Sequence, residues 1–318
     1  MAGLLELLSN NKFVSGQEIA SELKISRAAV HKQIELLRKK GYEIQGRRKQ
    51  GYSLVLRPDL IAPAEVSRRL DKKNLLGREI KYFSELGSTQ SRAKEEAENG
   101  TPEGLLIIAE SQSSGYGRLS RKWASPPLGL WFSLVLRPKL IPSNVPQLTL
   151  VFSLAICRAL KRFRRINPEI KWPNDIFLGN KKLGGVITEM SAESDGVRWL
   201  VLGAGINVNN EIPRSLLDTA VSILAATGGA VDRAALLAGI INDFDAMYRT
   251  YTVSGFGGFA AEYNENSLLK GKRVTVDMLG EVISGTVLGI DDSGFLLVKR
   301  DNGETRKIIA GDVTLKGW

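Results

Sequence analysis

Ser111-Gln-Ser-Ser-Gly-Tyr-Gly-Arg118-Leu-Ser-Arg121-Lys-Trp123 sets two glycines and three cations in one short polar stretch. The apolar run 105–109 precedes it and the strand-like segment 130–136 follows it. A flexible backbone with fixed positive charge between two strands suits a loop folding over an anionic ligand. A solvated surface loop has the same composition, so the remainder of the chain must decide between the two.

The 318 residues are 43% hydrophobic and 25% charged, a globular composition with material for two or three domains. The apolar run 148–156 ends near Arg158 and is too short to cross a bilayer, so no membrane association is expected. No signal sequence is visible at the N-terminus. A single cysteine excludes an intrachain disulfide framework, and both features fit the cytoplasm. With one Cys and one His, a Cys/His zinc site lacks ligands and a Ser–His–Asp triad would have to draw on remote His31. Cys157 lies in an apolar helical run and reads as a buried, inert thiol. Catalysis must then come from Lys, Arg, Asp, Glu, Asn and backbone groups, which favours chemistry that stabilises charge.

The net charge is +10, and residues 1–57 carry eleven Lys/Arg against five Asp/Glu. That basic module suggests a polyanionic partner. A leucine-rich opening, a helix capped by Ser15 with Glu18 at the capping-box position, and a helix over 27–40 capped by Ser26 precede two strands around a basic turn. The order is that of a winged helix-turn-helix. Ser26, Arg27, His31 and Lys32 would enter the major groove, with Arg47, Arg48 and Lys49 on the wing against DNA. The same fold used for protein contact is the alternative.

Prolines 58 and 63 mark a linker, giving expected domains at 1–60, 61–265 and 266–318. In the middle domain, helices are expected over 65–70, 92–98, 147–163 and 234–250, and strands over 80–83, 105–109, 131–136, 170–177 and 199–204. Gly87-Ser-Thr at a strand-to-helix junction offers hydroxyls and amides to a polar ligand, or simply caps the helix. Gly115-Tyr-Gly-Arg lacks the Lys-Ser/Thr ending of a P-loop, and Gly203-Ala-Gly-Ile-Asn-Val lacks the third dinucleotide glycine. Arg118, Arg121, Lys171, Lys182, Asn174 and Asp175 form a cation-rich set with one acid for a metal, which fits ATP binding and pyrophosphate release.

Gly87-Ser-Thr-Gln90, Gly115-x-Gly-Arg118-x-x-Arg121-x-Trp123, Lys171-Trp-Pro-Asn-Asp175, Lys182-Leu-Gly-Gly185 and Gly203-Ala-Gly-Ile-Asn-Val-Asn209 occur in the order found in biotin protein ligases. With the winged helix in front, the whole chain resembles the bifunctional ligases that also repress biotin operons. The resemblance implies an α+β multidomain chain with a central α/β catalytic domain of class II synthetase-like type and a C-terminal SH3-like barrel. It implies formation of biotinyl-5′-adenylate from biotin and Mg-ATP. The biotin then passes to a lysine of the biotin carboxyl carrier protein of acetyl-CoA carboxylase. It further implies operator DNA as a partner and a homodimer.

By the same resemblance Ser88, Thr89, Gln90, Gln112, Gly115, Tyr116, Gly117, Arg118, Lys182, Gly185 and Gly205 would bind biotin, with Lys182 and Arg118 catalytic. Arg121, Trp123, Lys171, Asn174, Asp175 and Asn207 would serve the nucleotide, with Asp175 on Mg²⁺. Asn207 and Asn209 could equally be turn residues. Tyr116 departs from the family pattern, which usually has Arg there. Strands at 273–278, 281–290, 295–299 and 305–309, separated by Gly-containing turns, read as a small antiparallel barrel. Two rival functions are a non-catalytic, ligand-sensing repressor and a lipoate-attaching ligase.

Overall fold

A computed structural model describes the chain apart from residues 1, 9–11, 40–41, 57–58, 60, 163–165, 194–195, 279–280 and 316–318. Its contacts divide the chain into two compact units, Met1–Arg69 and Leu70–Trp318. The linker residues 57, 58 and 60 and the end of the expected helix at Lys40 lie outside the described residues.

The first unit holds α1 (Ala2–Leu7), α2 (Gly16–Leu23), α3 (Arg27–Lys39), the antiparallel pair β1 (Glu43–Arg47) and β2 (Gly51–Leu56), and α4 (Pro63–Ser67). Ser15 accepts the amide of Glu18 at 3.1 Å and Ser26 that of Ala29 at 3.1 Å, so both expected caps form. Leu4, Leu8, Ile19, Val30, Ile34 and Leu37 are buried together with Ile44 and Leu54 of the hairpin. Val14 pairs with Tyr52 through two backbone bonds of 2.9 Å. This approach is why position 51 is glycine: its φ is +103° and a Cβ would lie 2.0 Å from the carbonyl oxygen of Val14. Helix α4 is shorter than expected and sits earlier. Its Glu65 is buried, accepting the Tyr42 hydroxyl at 2.8 Å, Arg68 Nε at 2.9 Å and Arg69 Nη1 at 2.8 Å.

In the second unit, β3 (Ile80–Phe83), β4 (Leu106–Ala109), β5 (Leu130–Leu136), β6 (Glu169–Lys171), β7 (Asp175–Leu178), β8 (Lys181–Glu193) and β9 (Gly196–Ile206) form one sheet. Its order is β3-β4-β5-β9-β8-β7-β6, and only β3 with β4 runs parallel. Strands β4 and β5 are buried at every position, as their uninterrupted apolar runs require. Alternate β5 residues meet different helices: Ser133 bonds to α5 (Thr89–Glu98), while Phe132 meets Phe152 of α6 (Val145–Lys161) at 6.0 Å. Phe152 also packs on Phe244 of α8 (Arg233–Ser254) at 4.6 Å, so α6 is sandwiched between sheet and helix. Helices α7 (Ile223–Thr227) and α9 (Gly257–Glu265) flank α8 along the chain.

The strand expected over 170–177 is two strands, β6 at the sheet edge and β7, joined by a turn with a cis Trp172–Pro173 bond. Helix α5 begins at Thr89 rather than at 92 because Ser88 caps it. The segment Pro142–Lys161 is longer than the run 148–156 and, by length and composition alone, apolar enough to cross a bilayer, but most of it is buried inside the protein. The C-terminal strands β10 (Arg273–Met278), β11 (Glu281–Ile290), β12 (Leu296–Lys299), β13 (Thr305–Ile308) and β14 (Asp312–Leu315) make an antiparallel sheet in the order β13-β12-β11-β10-β14. Strand β14 was not anticipated.

Candidate active site

The start of α5 lays the polar floor of the site. Ser88, Thr89 and Gln90 are all buried there. Gln112 Oε1 accepts the Thr89 amide at 2.8 Å and its hydroxyl at 3.1 Å, while Gln112 Nε2 donates to Ser125 Oγ at 2.8 Å. Ser133, wholly buried on β5, donates towards Thr89 Oγ1 at 3.0 Å and Gln90 Oε1 at 3.1 Å. Gly203 is forced by this packing, because a Cβ there would lie 2.3 Å from Gln90 Oε1. Sequence reasoning missed Ser133; a lone hydroxyl in an otherwise apolar strand was its signal.

The charged wall comes from the other side of the sheet order. Register pairs Asp175 of β7 with Gly185 of β8, and Lys182 Nζ meets Asp175 Oδ1 at 2.7 Å. The same ammonium lies 5.2 Å from the Trp123 ring centroid, a cation–π distance. Arg118 Nη1 donates to Asn174 Oδ1 at 3.2 Å, and Asn174 Nδ2 is fixed by the Val186 carbonyl at 2.8 Å. Burial lowers the pKa of Lys171, an effect that nearby Asp175 opposes.

The glycine-rich stretch folds back on itself as a small hairpin. Trp123 donates its amide to the Gly115 carbonyl at 2.8 Å and Gly117 to that of Arg121 at 2.8 Å. Just before the stretch, Glu110 takes the buried Arg233 at 2.7 Å and the Leu128 amide at 3.1 Å. Gly115 itself does not line the cavity. It packs against Gln112, Ser125 and Trp123, where a Cβ would come within 2.7–2.9 Å of their atoms. The Tyr116 hydroxyl donates to Glu189 Oε2 at 3.0 Å; burial raises its pKa, so it remains a donor. Arg121 pairs with Asp312 of β14.

These pieces enclose a cavity of about 1110 Å³. Ser88, Thr89, Gln90, Gln112, Tyr116, Gly117, Arg118, Arg121, Trp123, Lys171, Asn174, Asp175, Lys182, Gly185, Gly205 and Asn207 all line it. Residues 311–314 close one side. Asn209, in contrast, bonds to the backbone of Val231 through both side-chain atoms, at 2.8 and 3.0 Å, the turn role left open for it. Trp123 Nε1 is buried without a hydrogen-bond partner, and a Cβ at Gly205 would lie 2.5 Å from it.

In the first unit, Ser26, Arg27, His31, Lys32, Arg47, Arg48 and Lys49 are all exposed. Arg47 stacks over the Phe13 ring at 4.7 Å. Arg38 is committed internally, to the Ile44 carbonyl and Glu35.

Three family models match this chain: an HTH domain over residues 3–53, the biotin/lipoate A/B protein ligase family over 82–207, and the biotin protein ligase C terminal domain over 270–316. The bifunctional ligase/repressor BirA of Bacillus subtilis is 40% identical over 98% of this chain and 97% of its own length. The chain belongs to the bifunctional biotin ligase/repressor family. The Escherichia coli member is 28% identical over 98% of this chain and 96% of its own. The biotin protein ligase from Aquifex aeolicus, solved in complex with biotin and ATP, superposes with a TM-score of 0.68 at 32% identity. That match covers 75% of this chain and 99% of the other.

As a member of this ligase/repressor family, the chain raises the question of a metal. Among the described residues no group of three or more His, Cys, Asp or Glu could hold one. Asp175 is the acid expected for it, with one oxygen committed to Lys182. Asp218 and Asp312 also line the cavity, Asp312 paired with Arg121, but the three acids do not cluster; Asp175 suits Mg²⁺ carried in by a nucleotide's phosphates rather than a resident metal centre.

Proposed function

We propose that this chain is an ATP-dependent biotin protein ligase that is also a DNA-binding repressor of biotin genes, with biotinyl-5′-adenylate as corepressor. The observation that carries the reading is the convergence of Lys182, Asp175, Arg118 and Asn174 with the Ser88–Gln112–Ser133 floor around one cavity. The floor offers hydroxyls and amides in fixed orientation for the biotin ureido group. The wall offers cations where charge develops.

In the first step a biotin carboxylate oxygen bonds to the α-phosphorus of ATP, and the bond to the departing pyrophosphate breaks. Lys182 and Arg118 face that phosphate and compensate its charge in a partly closed site, where such contacts count most. Arg121, Trp123, Lys171, Asn174 and Asn207 serve the nucleotide, and Mg²⁺ enters as part of the ATP substrate beside Asp175. In the second step a carrier-protein lysine amine attacks the acyl carbon of the adenylate; AMP leaves and a proton passes to solvent. Tyr116, Gly117, Gly185 and Gly205 shape the pocket, whereas Gly115 acts through the fold of the loop.

The partners are the biotin carboxyl carrier protein of acetyl-CoA carboxylase and operator DNA. Ser26, Arg27, His31 and Lys32 read the major groove, and Arg47, Arg48 and Lys49 hold phosphates. One recognition helix reads a half-site, which favours a homodimer on a two-part operator. The protein works in the cytoplasm, off the membrane, with domains at 1–60, 61–265 and 266–318. The catalytic domain is class II synthetase-like, and the C-terminal sheet is an SH3-like barrel that helps close the nucleotide side. Transfer of labelled biotin to the carrier protein tests the reading, with lipoate as competitor. Label on the carrier lysine that excess lipoate leaves intact is expected; no label, or displacement by lipoate, contradicts it.

A further inference from the structure

Tyr116 sits between the two glycines of the loop, yet its hydroxyl reaches out of the cavity. It donates to Glu189 Oε2 at 3.0 Å, and the other oxygen of that carboxylate takes Lys94 Nζ at 2.8 Å. Glu189 lies on β8 and Lys94 on α5, so one carboxylate joins the loop to two elements of the scaffold. Ser91, also on α5, is a second hydrogen-bonding neighbour of the phenol. Glu189, Lys94 and Ser91 do not line the cavity, so a substrate has no direct claim on them.

Gln112 and Ser111 tie only the start of the loop, to Thr89, Ser125 and the Ser84 carbonyl. Nearer its tip, Arg118 with Asn174 involves groups that face the cavity, and Arg121 with Asp312 is an exposed pair whose contribution is small. The Glu189 carboxylate is more sheltered, with 28% side-chain exposure, and both of its oxygens are satisfied.

We propose that Tyr116 and Glu189 are positioning residues that hold the loop 111–123 folded over the cavity before any substrate arrives. A glycine-rich loop that orders only on binding loses conformational freedom at that moment, which weakens binding; a tether formed in the free protein removes that loss. The tether also slows the opening through which a bound adenylate escapes. This second consequence rests on the ligase reading, and the first does not.

Amide hydrogen exchange in the free, full-length protein separates the two. The reporters are the Gly117 and Trp123 amides, which close the hairpin. Tyr116→Phe and Glu189→Leu, which leaves the phenol no acceptor, should each speed their exchange about fivefold, the effect of one lost partly buried hydrogen bond. The double variant should be no faster than either single one, because both remove the same contact. Unchanged exchange, or additive acceleration, would overturn the tether.

Dissociation of preformed biotinyl-5′-adenylate is the second readout. Glu189→Leu should speed it by a similar factor and raise the KM for biotin, with kcat for adenylation within about twofold. A fall in kcat with unchanged adenylate release would also overturn the proposal. If the wild-type chain forms no adenylate, the ligase reading fails while the exchange measurement still decides the tether.

Discussion

Lys182 is held by Asp175 at 2.7 Å and lies over the Trp123 ring at 5.2 Å, with its ammonium on the cavity wall. Its side chain is 31% exposed and that of Asp175 23%, so the ion pair contributes at most about 1 kcal/mol to stability. A preorganised charge aimed at a developing anion contributes more, about 3–4 kcal/mol or 10²- to 10³-fold in rate. Lys182→Ala should therefore slow adenylation at least a hundredfold while the melting temperature moves by only a few degrees. Activity within a few-fold of wild type would remove Lys182 from its role. At this scale much of the pocket was legible, because charged side chains and one glycine pair stand out in the run 171–185. Ser133, Glu189 and Asp312 were not, since each gains its meaning from a strand brought alongside by the sheet or from the late C-terminal strand. Gly115 was read as a ligand contact, but its lack of a side chain serves the neighbours Gln112, Ser125 and Trp123.

Helix α4 is joined to the segment just before β1 by a carboxylate. Burial alone would raise the pKa of Glu65, but hydrogen bonds from Arg69, Tyr42 and Arg68 outweigh it and bring it down to about 2 from an ordinary 4.5. The unfolded chain takes up this proton near pH 4.5 and the folded unit only near 2. The stabilisation is thus complete above 4.5 and is lost as the pH falls from there towards 2, about 3 kcal/mol in all. Glu65→Gln should destabilise residues 1–69 at neutral pH and flatten that acid dependence. All five tryptophans fall in residues 123–318, so the signal must come from amide exchange in α3. An unaltered acid profile in the variant would contradict the assignment. Helices of the first unit were legible because caps and apolar spacing agreed, as at Ser15 and Ser26. The placement of α4 was not, as it depends on Tyr42, twenty-three residues away. The break between β6 and β7 was signalled, because Pro173 interrupts the strand pattern and points to an edge or bend at Trp172.

Across the molecule, function is divided as charge is. The surplus of six positive charges in residues 1–57 accompanies a three-helix and hairpin unit with seven exposed groups suited to DNA. In the second unit Arg118, Arg121, Lys122, Lys171 and Lys182 line a cavity built from the seven-stranded sheet, the loop 111–123 and β14. The order of elements and the three family matches follow the same division. On the ligase reading, this cavity joins a biotin carboxylate to the α-phosphate of ATP. Pyrophosphate release by the full-length protein in Mg-ATP, with and without biotin and with no carrier protein present, tests it directly. A biotin-dependent burst of about one pyrophosphate per site is expected, with the adenylate retained on the protein. No release above the biotin-free level would contradict it and leave a sensor without catalysis.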